Sequence, residues 1–236
     1  MRIHHCAFGT LVIACSLPLQ VGAGEYSALL REAALALDND FADQWAFTET
    51  SIESELTTVA RFNPANPKDE RWHLLTIDGR SPTGEEIADF IEDKEEESSG
   101  SADKEEDGSD NDVEEMVEPD SLRLIEETDD HWLFSFDPSE DDDEEKFLKF
   151  VDATLKIAKN GPYIEYIHMQ SNKPFRPQFG VKVNEFVTRL LFGPAASGGP
   201  IVPLSIDIRI KVRAFLVAGV DETYSISFSD YEFVGD

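Results

Sequence analysis

The sequence predicts a mainly β protein (α+β), built as a large curved antiparallel sheet or unclosed β-barrel covered by short helices. Three observations carry this. Segments in which apolar and polar residues alternate recur along most of the chain, about ten in all. Phenylalanine is abundant, sixteen in 236 residues, and aromatic side chains suit a pleated, half-buried surface. The breaks between segments are often tight-turn signals such as Asp78-Gly79 and Asn160-Gly161, whereas sustained helical spacing is confined to two stretches.

Residues 1–23 read as a secretory signal peptide. Arg2 supplies the positive start, and Cys6-Ala7-Phe8-Gly9-Thr10-Leu11-Val12-Ile13-Ala14-Cys15 forms an uncharged, largely apolar middle. Val21-Gly22-Ala23 then offers small residues for cleavage. The apolar run is shorter than the ~20 residues a membrane-spanning helix needs. An alternative is that Val12-Ile13-Ala14-Cys15 acts as a lipobox, with Cys15 lipidated and the protein anchored to an envelope membrane. The expected location is therefore exported and periplasmic, or envelope-tethered if Cys15 is used. Both cysteines lie in this segment, so cleavage after Ala23 leaves a chain without disulfides or thiol chemistry.

Residues 24–91 form the first part of the β domain with a lid-type helix. Leu29, Leu30, Ala33, Ala34 and Leu37 recur at helical spacing over Glu25–Leu37. Trp45–Thr50 and Leu56–Phe62 alternate and predict a hairpin, and Arg71–Ile77 predicts a third strand closed by Asp78-Gly79. Thr83 followed by Glu86 is a capping box that opens a helix carrying Ile87, Phe90 and Ile91. Residues 92–120 are expected to be an acidic disordered insertion, because charge without apolar residues cannot offset ordering entropy.

Residues 121–236 hold the remainder of the β domain. Leu122–Glu126 and Trp132–Phe136 read as strands, with Trp132, Phe134 and Phe136 on one face. A turn of helix is expected near Phe147–Val151. Thr154–Ala158 and Tyr163–Met169 flank Asn160-Gly161 as a hairpin, and Val181–Phe192 is a long strand. Leu204–Leu216 alternates most clearly. Leu204, Ile206, Ile208, Ile210, Val212 and Ala214 face one way; Ser205, Asp207, Arg209, Lys211 and Arg213 face the other. Tyr224, Ile226 and Phe228 mark the last strand.

The formal net charge of −29 is concentrated. Glu92–Asp120 carries fifteen acids against Lys94 and Lys104, and Asp137–Glu145 adds seven with no base. Such a balance excludes nucleic acid as a partner, since phosphate contacts need clustered Lys and Arg. The loop Asp137–Glu145 offers oxygen ligands for a hard cation but lacks the spacing and glycine of a calcium loop, so it reads as a solvated loop and no metal is expected. His73, His131 and His168 lack metal-ligand spacing. Ser197-Gly198-Gly199 has no nucleophile-elbow context, and no cofactor motif is present, so the chain is expected not to be an enzyme. Two groups remain as site candidates. Trp45, Phe47, Trp72, Trp132 and Phe134 would line a ligand cavity, or form plain core. Arg209, Lys211 and Arg213 would meet an anionic headgroup or a partner, including the chain's own acidic insertion, or form an ordinary solvent face.

The flow Asn160-Gly161-Pro162-Tyr163-Ile164, Pro174-Phe175, Gly180-Val181-Lys182-Val183, Pro203-Leu204-Ser205-Ile206 and Ser229-Asp230-Tyr231-Glu232-Phe233 resembles the periplasmic lipoprotein-carrier-like superfamily, in particular its uncharacterised exported Gram-negative branch. The resemblance covers residues 25–236 apart from the acidic insertion. It implies an unclosed barrel or strongly curved sheet whose concave apolar side is covered by short helices, and a protein that binds acyl chains of lipoproteins or acts as a periplasmic sensor or chaperone; it fixes no individual ligand residue. The expected function is an exported, non-enzymatic binding protein for an apolar or lipidated ligand in the cell envelope. The alternative is an envelope interaction or sensor protein with a packed core and no ligand cavity. A membrane surface is an expected partner only if the chain is lipidated.

Overall fold

A computed structural model describes residues 23–38, 40–54, 56–102, 113, 116–139, 148–177, 179–214 and 218–235. Its framework is one ten-stranded antiparallel sheet that does not close. The strands are β1 (Trp45–Glu53), β2 (Leu56–Phe62), β3 (Trp72–Ile77), β4 (Arg123–Glu127), β5 (His131–Phe136), β6 (Val151–Ala158), β7 (Ile164–Ser171), β8 (Val181–Pro194), β9 (Ile201–Ala214) and β10 (Ala218–Phe233). Their order is β3-β2-β1-β10-β9-β8-β7-β6-β5-β4. Each neighbour in the order is also a sequence neighbour except at one seam, where the final strand β10 lies against β1. The connection from β3 to β4 must therefore run from one edge of the sheet to the other.

The turns follow the residues. Asp78 and Gly79 both take positive φ (49° and 73°), and Ile77 and Arg80 exchange backbone hydrogen bonds of 3.0 Å, which is the mirror-type turn that Asp-Gly favours. Gly161, at φ 73°, lets Ala158 N–H donate to the Tyr163 carbonyl at 2.9 Å and close the β6–β7 hairpin.

Cross-strand partners share a face, so register shows which side chains lie together. Phe134, Leu155 and Ile167 are aligned across β5, β6 and β7 and are buried. Helix α1 (Ala23–Ala34) packs on them through Leu30 and Ala33, and Tyr26 meets Phe134 edge to face at 5.0 Å. At the far end Ala60, Leu74 and Ile77 form a second buried cluster against Trp72 and Phe90. A short helix α2 (Phe41–Gln44) sits beside β1, where Phe41 meets Phe47 at 5.5 Å.

Helix α3 spans Gly84–Ala102, so the disorder expected from Glu92 does not hold for its first eleven residues. The capping box forms as expected: Glu86 N–H donates to Thr83 Oγ1 (3.3 Å), and Thr83 N–H donates to the Glu86 carboxylate (2.7 Å). Arg80 adds an ion pair that fixes the same carboxylate. Glutamate is also a good helix former, so a capped and anchored start propagates into the acidic run. Further along, Val113 and Val117 are buried in the core with α1, which again departs from an unstructured insertion. Met116 also packs there. The helix turn expected near Phe147–Val151 is a single 3-10 turn, Leu148–Phe150, after which β6 begins. Residues 1–22, on which the expected signal, Cys6 and Cys15 fall, residues 103–112 and 114–115 of the expected insertion, and residues 140–147 of the acidic loop lie outside the described residues.

Candidate functional site

The concave face has three zones. Under α1 lies the dense core of β5–β7. Under α3 lies the Trp72 cluster of β1–β3. Between them, β8, β9 and β10 contribute the three longest strands. There Leu190, Ile206 and Ile226 lie in one cross-strand row, and Thr188, Ile208 and Tyr224 in the next. Every one of these six is only half-buried, in contrast to Leu155 and Ile167 at 0 % exposed. Phe186 and Ile210 extend the strip one row further, and Glu222 stands beside Ile210 as an exposed carboxylate. These mainly aliphatic and aromatic side chains form an apolar strip with partial access to solvent, joined on the β8 side to the core under α1 through Phe186 and Leu190.

The five aromatic candidates do not line one common cavity. Phe134 is 1 % exposed and belongs to the core under α1, with Trp132 packed at its margin. Trp132 is held there by a 3.2 Å hydrogen bond that its indole N–H donates to Glu127, and by Lys159 4.7 Å above its ring. Phe47 and Trp72 meet at the other end, 5.9 Å apart, with Phe62 stacked on Phe47 at 5.0 Å. Trp45 pairs with Phe233 at 5.3 Å beside the β1–β10 seam. Aromatic residues in a sheet of this width are distributed by strand order, which alternation within a strand does not reveal.

The basic stripe lies on the opposite, convex face. Lys211 is flanked by Glu185 (3.1 Å) and Asp221 (3.8 Å), and Arg209 reaches Glu185 at 3.6 Å. Both bases pull the Glu185 carboxyl below its usual range, the Lys211 hydrogen bond first. Arg213 stands beside Lys182 and Gly219 and is exposed. The acidic tract does not dock on this stripe in its described part, because Phe90 and Lys94 hold α3 against the concave side. The charges of Arg209 and Lys211 are answered by neighbouring strands instead.

Two charged residues missed by sequence reasoning define the α3 contact. Glu49 lies on the concave face of β1 and is 7 % exposed. Lys94 Nζ approaches it to 3.1 Å and stands 4.9 Å above the Trp72 ring. The signals were present. Glu49 has the same parity as Trp45 and Phe47, and Lys94 falls three and four residues after Ile91 and Phe90, on their helix face. A cavity of about 200 Å³ adjoins this contact, floored by Phe62 and Trp72 and walled by Ile91, with Arg71 and Lys68 at its polar side.

The histidines stay apart. His131 is near Glu126 (3.3 Å) and Thr128 (3.0 Å), His73 is paired across β2 with Arg61, and His168 lies on the convex face beside Arg189. Among the described residues no group of three or more His, Cys, Asp or Glu is placed to hold a metal ion, and no helix is long and apolar enough to cross a membrane. In comparisons with known proteins no family model matches the chain, and neither a curated protein nor a solved structure matches it.

Proposed function

We propose that the chain is an exported, non-enzymatic binding protein whose ligand is apolar or lipidated, and that the β8–β10 strip receives it. The observation that carries this is the difference in burial along one continuous apolar face. Leu155 and Ile167 are closed off, while Ile206, Ile208, Ile210 and Ile226 keep partial access to solvent. An acyl chain laid on that strip would gain roughly 0.8 kcal/mol per buried methylene, before the costs of ordering. Signal-like residues 1–23 support export, and the resemblance to periplasmic lipoprotein-carrier-like proteins supports the ligand class. Lipidation at Cys15 would convert a diffusing carrier into a tethered one.

The test is native mass spectrometry of protein purified from the envelope fraction, together with uptake of a fluorescent fatty acid. A co-purifying lipid mass and saturable uptake are expected. A clean apo mass with no uptake would refute the reading and leave an interaction or sensor protein with a packed core.

A further inference from the structure

We infer that the β7–β8 loop is a docking surface for an anionic phospholipid bilayer, independent of any lipid on Cys15. Phe179 in this loop is 96 % exposed, more than any other large apolar side chain among the described residues. Single exposed apolar residues are ordinary, and what distinguishes Phe179 is its setting. From Ser171 to Asn184 the chain carries Lys173, Arg176 and Lys182 and no acid, in a protein of net charge −29. Lys149 stands just before β6, whose first residue Val151 pairs with Ser171, and Arg213 pairs with Lys182 across β8 and β9. These five cations therefore lie at the same end of the sheet. None of them has an ion pair among the described residues, whereas Arg61, Arg80, Lys156, Lys159, Arg209 and Lys211 all do.

The loop is clamped at its base. Phe175 is buried, stacks on Phe150 at 5.1 Å, and exchanges two backbone hydrogen bonds of 2.9 Å with Val183. Beyond the clamp Arg176 and Phe179 are exposed, and Pro174 and Pro177 stiffen the chain around Phe175. Lys149 and Lys173 stand 5.3 Å and 5.7 Å from the Phe150 ring, so both are held beside the clamp. Asp152, the carboxylate next to it at the start of β6, accepts a hydrogen bond from Asn172 at 3.1 Å. A projecting aromatic ring suits the boundary between headgroups and acyl chains, and each Lys or Arg near an anionic surface adds attraction. Salt screens charges beyond about 8 Å, so a bilayer feels chiefly the groups nearest to it. A bilayer also accepts a ring without a preformed pocket, which favours it over an acidic protein.

Protein purified from the envelope fraction is co-sedimented with vesicles of phosphatidylglycerol and phosphatidylcholine in equal parts, and with vesicles of phosphatidylcholine alone. Saturable binding to the anionic vesicles, weakened by added salt, is expected, with little binding to the neutral ones. Phe179→Ser should weaken it about tenfold, the effect of withholding one apolar side chain. The triple variant Lys173→Gln/Arg176→Gln/Lys182→Gln should weaken it about a hundredfold, from about fivefold per cation. No binding to the anionic vesicles overturns the proposal and would leave the loop to an acidic protein partner. So does equal binding to the neutral vesicles. Unchanged binding in Phe179→Ser overturns it too, since attachment would then lie elsewhere, a lipid on Cys15 included. Should the triple variant fail to fold, Phe179→Ser, altered at an exposed position, and the comparison of the two vesicles decide. Uptake of a free fatty acid reads the β8–β10 strip and should be unchanged in both variants, so loop and strip stand or fall separately.

Discussion

Lys94→Met tests how α3 is held to the sheet. The Lys94–Glu49 pair spans 3.1 Å, with the two side chains only 13 % and 8 % exposed. Removing the ammonium leaves the Glu49 carboxylate on an apolar face with its ion-pair partner gone. Breaking one side of a buried pair costs about 3–5 kcal/mol, most of it the uncompensated charge. Loss of the cation above Trp72 adds about 0.5–2 kcal/mol. Methionine keeps most of the lysine stem, so packing against Phe90 and Trp72 changes little. The double variant Lys94→Met/Glu49→Leu removes both charges and should recover most of the loss. Urea unfolding followed by tryptophan fluorescence reads both stabilities, with the slope checked for constancy. A loss below about 1 kcal/mol in the single variant, the range of exposed pairs, would refute the buried-pair reasoning. A double variant no better than the single would refute it equally.

Further outcomes follow from the same contacts. Thr83→Ala should destabilise α3 by about 1 kcal/mol through the lost cap, read as faster amide exchange over residues 84–91. The Glu86 carboxyl, held by the Arg80 hydrogen bonds first and the Thr83 N–H next, is pulled down from 4.5 to about 2 and should titrate there by carbon-13 NMR. Because the folded value is depressed, its contribution to stability is complete above pH 4.5 and is lost as pH falls toward 2. Leu155→Ala in the closed core should cost about 2–5 kcal/mol, whereas Ile208→Ala on the half-open strip should cost less and lower fatty-acid uptake instead. Tyr231→Phe removes the hydroxyl that donates to the Pro203 carbonyl at 2.5 Å and should cost about 1 kcal/mol by urea unfolding. Burial raises the Tyr231 pKa, so the native hydroxyl resists ionisation at pH values where a free tyrosine is already charged.

The strands were readable because alternation is a local property. Leu56–Phe62 matches β2 at both ends, and the in-phase row from Ile206 to Val212 is the row that faces the concave side, whereas Leu204 falls at a bulge in the β8–β9 pairing. Strand order is not local. Nothing within Tyr224–Phe228 says that it lies between Ser205 and Thr50, so the separation of Phe134 from Phe47 could not be read from either segment. The extent of α3 was missed for a different reason. Composition judged Glu92–Ala102 by its charge alone, while a cap at Thr83 precedes it and an anchor at Lys94 lies just within it. Half-burial of the strip is a tertiary property as well. Ile206 and Ile167 look alike in sequence, and only the position of α1 separates them.

The central claim is that the apolar strip of β8–β10, rather than the closed core, receives the ligand. A stearate carrying a nitroxide near its methyl end tests it directly on methyl-labelled protein. The account predicts paramagnetic broadening of the Leu190, Ile206, Ile208, Ile210 and Ile226 methyls, with those of Leu155 and Ile164 spared. Uniform weak broadening across the surface, or none at the strip with ligand in excess, would contradict it.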